Sequence, residues 1–402
     1  MRRTLTLAAI ALVVLGLLVA AYFYFFTGTA TVTVAPEAGG TLPLAGQQTG
    51  GAGTTQTETP AGTVTSVPVV VSSRLVQISA GPVALGAAVV DAKAKDASTT
   101  PETSINFIER VSGNVFTYLV RAKTLTRVNN KTIPGIQSAS WLPNGSLAFV
   151  RYLSGNNFST INTYALAATS TNGFFLSQNL AGIDVSATGI LTTTSGVNGS
   201  VISLVRTDGT RPTTVFTTPL ASLRASFAGK NQYLAFTKPS ASLSGDAFLV
   251  DGAGHFSRIS GPHNGLVALA SPSGKLLLVS YVAGGAMHLE LVETTTGNVV
   301  PLPIATIADK CVWAADDSNI YCGVPVTVDP SSAYPDDWYQ GVVHFSDRIW
   351  KIHVVGRYAQ LVLDFSQADK GDLDAESLAV NPAQTVLVFT NKNDGSLWSF
   401  SL

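Results

Sequence analysis

The densest chemistry in the chain lies between Tyr334 and Asp347. Tyr334, Asp336, Asp337, Trp338, Tyr339, His344 and Asp347 fall within 14 residues. Tryptophan and tyrosine give rigid contact area with a polar tip, which suits a glycan or a peptide. Paired carboxylates suit two other tasks. With Asp329, Asp369, Asp372 or Asp374 they would hold a cation such as Ca²⁺, although the D-x-[DN]-x-[DN]-G loop is absent. Facing each other across a cleft of ~5–9.5 Å, they would serve glycosidic cleavage. The competing reading is structural: Trp338 and Tyr339 fold back over the sheet below, and Asp336 caps a turn. No cofactor other than that cation is implied.

Other reactive patterns are missing. His255, His263, His288, His344 and His353 form no H-x-x-x-H or H-E-x-x-H pair. There is no G-x-S-x-G elbow and no G-x-x-x-x-G-K-[ST] loop. Trp313, Trp350 and Trp398 sit inside strand phrases, where packing is the expected role. The net charge is -1, so no overall basic field draws nucleic acid.

A repeat positions the cluster. Apolar residues make up 46% of the 402 and charged residues only 12%, about half the usual charged share. Each unit has a short strand, a turn and an apolar strand, then a second hairpin. The first apolar residues of the second strands are Leu147, Ile190, Leu234, Leu276 and Ile320, with further copies at Val386 and Val83. The spacing of the central copies is close to 43 residues, the period of four-stranded propeller blades. Asp208-Gly209, Asp251-Gly252 and Thr296-Gly297 are turn dipeptides at equivalent places. The fold class expected is all-β, a seven-bladed β-propeller, with six or eight blades as alternatives. The last unit stops after its third strand. The β-branched run Thr63–Val71 is placed to supply the fourth and close the ring.

Two units exceed the period. Val83 to Leu147 spans 64 residues and Ile320 to Val386 spans 66. Placing the surplus between second and third strands puts Asp91–Ser104 and Val326–Asp347 on one face. The connection Ser366–Glu376 opens there too.

Trp141-Leu142-Pro143-Asn144-Gly145 before Leu147-Ala148-Phe149, and Ser271-Pro272-Ser273-Gly274 before Leu276-Leu277-Leu278, resemble the blade turn of TolB-type and WD-repeat-like propellers. The resemblance covers about residues 73–402. It implies the fold and leaves function open. With its anchor, the chain also resembles uncharacterised single-pass, membrane-anchored bacterial propeller proteins.

Cys311 and Cys322 flank a hairpin centred between Asp316 and Asp317, which sets them opposite each other. A disulfide and an oxidising compartment follow, with two free buried thiols as the alternative. Residues 1–26 read as a signal-anchor helix: Arg2 and Arg3 precede an uncharged run from Thr4 to Phe26, long enough for a bilayer core of ~30 Å. A cleaved signal peptide is the rival. Positive-inside bias leaves the N-terminus cytoplasmic and the propeller extracytoplasmic at the cell membrane. Residues 27–62 read as a flexible tether, and 63–402 as the propeller.

The functional expectation is a membrane-anchored, non-catalytic binding or scaffold module for a protein, peptide or glycan. The alternatives are an extracytoplasmic hydrolase or lyase using the carboxylates of 326–347, and a structural subunit of an envelope complex.

Overall fold

A computed structural model describes residues 74–402, apart from 80, 93–100, 171 and 369–371. The expected anchor and tether, the run Thr63–Val71 and Asp369 lie outside the described residues. Among those described, no helix is long and apolar enough to cross a membrane.

The fold is all-β, and the strands within every sheet pair antiparallel. The first sheet holds Ala88–Asp91, Thr103–Ile108, Val115–Leu119 and Thr124–Asn129. The second runs from Ile136–Trp141 to Gly173–Phe175, and the third from Gly182–Val185 to Thr213–Thr218. A seven-stranded sheet follows, from Leu223–Phe227 to Val299–Pro301. Its central strand, Phe256–Ala270, pairs early with Ser244–Asp251 and late with Leu276–Ala283. Two four-stranded halves therefore share one continuous strand. The next sheet holds Cys311–Trp313, Asn319–Pro325, Asp347–His353 and Tyr358–Asp364. The last holds Ala375–Val380, Val386–Asn391 and Leu397–Ser401, completed by Leu75–Gln77.

Burial orders the strands within each sheet. Second strands are the most buried, the Leu276–Ala283 strand most fully: Leu277, Leu278 and Val279 are each 0% exposed. Each such side chain is worth roughly 1.5–3 kcal/mol on leaving water. Fourth strands such as Thr124–Asn129 and Tyr358–Asp364 are far less buried and form the rim. First strands such as Cys311–Trp313 and Ala375–Val380 lie on the inner side.

Two expectations are corrected. The strand that closes the last sheet is Leu75–Gln77, with Leu75 opposite Phe400 and Gln77 opposite Trp398. It lies a few residues beyond Thr63–Val71. Val83 does not open a second strand either. It makes an isolated bridge to Glu109, and the second strand of the first sheet is Thr103–Ile108. The stretch from Asp91 to Ser104 therefore joins first and second strands. Its described ends, Asp91 and Thr103, lie at the end of their sheet opposite to the one from which the 326–346 insertion leaves its own, since alternate connections in an antiparallel sheet open on opposite ends. Asp91 itself ties the first sheet to the last: it accepts from the side-chain amide of Asn381 (2.8 Å) and from the Ala383 N–H (3.2 Å).

Cys311 and Cys322 are disulfide-bonded at directly paired positions of a hairpin. The neighbouring Asp317 receives the hydroxyl of Ser271, 3.0 Å away, and that of Ser273. The Ser-Pro-Ser-Gly turn of one repeat is thereby fastened to the next.

Candidate functional site

The insertion leaves its own sheet after Pro325 and returns at Asp347. Between them, Asp336–Tyr339 forms a one-turn helix. The Asp337 carboxylate accepts from the Ala333 N–H at 2.7 Å and so closes the insertion's own turn. Tyr334 and Pro335 lie against Gly265 of the shared strand. A Cβ there would sit 2.9 Å from both the Tyr334 carbonyl oxygen and the Pro335 Cδ, so only glycine admits this approach.

The aromatic residues then divide. Tyr334 and Trp338 are 2% and 3% exposed. Each stacks on Phe345, with centroids 5.6 and 6.4 Å away. The Tyr334 hydroxyl is buried without a hydrogen-bond partner. The Trp338 indole N–H donates to Asp374 at 3.0 Å. These two residues therefore form core, which corrects their place in an exposed binding surface. Tyr339 remains 37% exposed. His344 is also exposed.

Beneath Trp338 lies a buried charge cluster. Lys310 is 0% exposed and donates to Asp347 (2.8 Å), to Asp374 and to the Ala375 carbonyl (3.0 Å). Its ammonium also sits 4.9 Å from the Trp338 ring centroid. Asp374 accepts the Phe345 N–H at 3.0 Å. Asp347 accepts the Ala375 N–H at 2.7 Å, and its other oxygen has no partner. Burial pushes the Asp347 carboxyl up to about 6; Lys310 pulls it down and the Asp374 charge pushes it further up. This cluster pins the insertion to its sheet and to the last sheet.

The expected cation set does not assemble. Asp329 caps its own turn through the Ser331 N–H (2.9 Å) and hydroxyl (2.7 Å). Asp372 is exposed and accepts from the Ser346 hydroxyl at 3.3 Å. Asp374 is neutralised by Lys310. Among the described residues, no three His, Cys, Asp or Glu side chains gather where they could hold a metal.

What the insertion does build is a cavity of about 590 Å³ against the seven-stranded sheet, lined by Arg224, Lys238, Ser240, Asp336, Tyr339 and Gln340 among others. Asp336 reaches across to accept the Ala241 N–H at 3.0 Å and the Ser240 hydroxyl at 3.4 Å. Arg224 grips Asp309 with two parallel bonds of 2.7 and 2.9 Å. The Tyr339 hydroxyl donates to Asp309 at 2.6 Å and receives Arg224 Nη1 at 3.4 Å. Burial works against the Arg224 charge, but Asp309 and Tyr339 more than offset it and hold the guanidinium above its ordinary range. Burial, with the Asp309 charge, pushes the Tyr339 hydroxyl well above the ordinary phenol range, so it stays protonated at neutral pH. Lys238 is exposed at the mouth with no ion pair among the described residues. The wall thus offers one free ammonium, one guanidinium, one protonated phenol and one carboxylate.

Sequence reasoning singled out Asp336 and Tyr339 but missed Arg224, Lys238, Asp309 and Lys310. A signal was present: in a chain with 12% charged residues, Arg224 is the second residue of a first strand and Asp309-Lys310 immediately precede another.

No protein-family model matches the chain, and no curated protein matches it. Solved structures do. An oligogalacturonate lyase in complex with manganese matches at a TM-score of 0.52 and 10% identity, covering 79% of this chain and 98% of its own. The oligogalacturonate lyase of Vibrio parahaemolyticus matches at 0.55 and 8%, covering 81% and 93%. TolB from Acinetobacter baumannii matches at 0.43 and 13%, covering 62% and 59%. The class defined is a β-propeller with a TolB-type resemblance. At these identities the likeness is one of fold. The expected non-catalytic binding or scaffold module finds no support in them: the neighbours named here with the higher scores are lyases. The manganese named for one neighbour has no fitting donor group among the residues described here.

Proposed function

We propose that the chain is a lyase acting on an acidic oligosaccharide of the oligogalacturonate kind, with its reaction in the cavity between the insertion and the seven-stranded sheet. The observation that carries this reading is the composition of that wall: Lys238, Arg224, Tyr339 and Asp336 face one space of about 590 Å³. In β-elimination the proton next to the sugar carboxylate leaves, the bond to the glycosidic oxygen breaks and a carbon–carbon double bond forms. Lys238 and Arg224 pair with the carboxylate and so make the neighbouring proton more acidic. Asp336 takes that proton on the oxygen not held by Ala241. Tyr339 turns its O–H from Asp309 to the departing oxygen and gives it the proton, and Arg224, 3.4 Å away, stabilises the phenolate left behind. The three other carboxylates of the insertion take no part: Asp329 caps its own turn, Asp337 closes another and Asp347 is buried against Lys310.

The wider setting belongs to the same proposal. Counting the shared strand Phe256–Ala270 as the outer strand of one blade and the inner strand of the next makes the ring seven-bladed. Residues 1–26 anchor the chain in the cell membrane as a single-pass helix, residues 27–62 tether the propeller, and the propeller works outside the membrane on a glycan, not on nucleic acid. The Cys311–Cys322 disulfide supports an oxidising compartment.

The test is direct. With oligogalacturonate, the full chain should generate the ultraviolet absorbance of a double bond conjugated to a carboxylate. The Lys238→Ala and Tyr339→Phe variants should lose it while melting like the parent. A folded parent chain that yields no unsaturated product from oligogalacturonate or related uronate oligomers overturns the proposal.

A further inference from the structure

Four carboxyl side chains are buried among the described residues: Glu290, Asp347, Asp364 and Asp374. Three of them have a cation. Lys310 serves Asp347 and Asp374, and Arg348 serves Asp364 at 2.8 Å. Glu290, 8% exposed, has none among the described residues. Among the described residues its carboxylate has one hydrogen bond, a long one, from the Tyr281 hydroxyl at 3.4 Å. A buried carboxylate without a partner is costly, and proteins seldom keep one without a reason.

The surroundings suggest the reason. Glu290 lies on Ala286–Glu293, opposite Val279 on one side and Pro301 on the other. It faces a cavity of about 260 Å³ bounded by Tyr281, His288, Leu302, Pro303 and Ile304. The two nearest basic groups, His263 and His288, stack on Tyr281, with centroids 4.1 and 5.1 Å from it and planes within 13° and 12°. The His288 Nε2 lies 3.4 Å from the Ala283 carbonyl oxygen. Both rings are thus engaged away from a direct bond to Glu290. Burial pushes the Glu290 carboxyl upward, while His263, the Tyr281 hydrogen bond and His288 pull it down. The space is small for an oligosaccharide and of a size for a chain of a few carbons. One wall is apolar and continuous from Leu302 to Ile304.

We propose that this cavity is a second binding site, for an ammonium group carried on a short aliphatic stem. The ammonium pairs with Glu290, and the stem lies along Leu302, Pro303 and Ile304. The ligand supplies the cation that the fold withholds from Glu290. This site is separate from the lyase cavity and does not depend on that reading.

Calorimetric titration at about pH 8, above the ordinary imidazole range, tests it. The probes are n-butylammonium, the uncharged n-butanol, and the capped tripeptide acetyl-Gly-Lys-Gly-amide. Butylammonium should bind the full chain and butanol should not. The Glu290→Gln variant should weaken butylammonium by about tenfold or more, as expected for loss of a charge-assisted contact. The Glu293→Gln variant, which removes an exposed carboxylate on the same strand, should leave binding unchanged. Ile304→Trp fills the cavity without touching Glu290 and should abolish binding as well, so a folding defect in one variant does not decide the matter. Tripeptide binding tighter than butylammonium assigns the site to a lysine side chain of a peptide; equal or weaker binding assigns it to a free amine, and both support the site. Failure of butylammonium to bind, equal binding by Glu290→Gln, or an equal loss in Glu293→Gln overturns it.

Discussion

Two charge clusters hang from the same insertion, and they differ in almost every physical respect. One is Lys310 with Asp347 and Asp374, fully enclosed under Trp338 and Phe345. The other is Arg224 with Asp309 and Tyr339, where the arginine side chain is 42% exposed and the aspartate 22%. In the first, one ammonium holds both carboxylates, and all three side chains are buried. In the second, Arg224 and Tyr339 line a cavity, and the guanidinium keeps unused donors. A carboxylate-rich stretch therefore does not act as a unit. Its helix divides the work, with Trp338 turned into the core and Tyr339, one residue on, turned to the cavity.

That contrast can be broken in order of size. Lys310→Met leaves two carboxylates buried without a cation and should cost about 3–5 kcal/mol, read as a lowered denaturant midpoint. A shift below about 1 kcal/mol would show that the enclosed cluster does not hold the insertion. Tyr339→Phe should do the reverse. It should lower turnover of oligogalacturonate by roughly 10²–10⁴-fold, as for loss of a general acid, with an unchanged melting temperature. Equal turnover by this variant would remove Tyr339 from the chemistry.

The third effect is one of pH. The Asp347 carboxyl stands at about 6 in the folded chain, above its ordinary value of about 3.9. Its contribution to stability is therefore full below about pH 4 and is lost as the pH rises through 6. Comparing the parent with Asp347→Asn between pH 4 and 7 should reveal a difference on the order of 2–3 kcal/mol that grows toward acid. Parallel pH profiles for the two would mean that Asp347 does not titrate in this range. The smallest effect belongs to the exposed pair: Arg224→Met should change stability by less than about 1 kcal/mol while weakening substrate capture, seen as a raised KM. A stability loss as large as that of Lys310→Met would erase the distinction between the clusters.

The repeat was legible wherever a second strand opens on consecutive apolar residues. Leu147, Ile190, Leu276 and Val386 each open the strand expected of them. The first unit misled because its second strand, Thr103–Ile108, alternates polar and apolar residues (TSINFI), while the upstream phrase around Val83 imitates a buried run. That one misplacement put the ends of Asp91–Ser104 at the wrong end of their sheet. The site was harder to read for a different reason. Asp336 meets Ala241, and Tyr339 meets Arg224, across 95 and 115 residues of sequence. No local pattern encodes such a meeting. The roles of Tyr334, Trp338 and Tyr339 depend on which way a single helical turn faces, and their shared aromatic character conceals it.

The strand Leu75–Gln77 completes the last sheet by pairing with Leu397–Ser401. During synthesis, the earlier of these partners leaves the ribosome more than three hundred residues before the later one. The ring therefore stays unlatched while most of the chain is being made, and the inner sheets must gather without it. Closure is a late event, in which the oldest described strand docks against the newest.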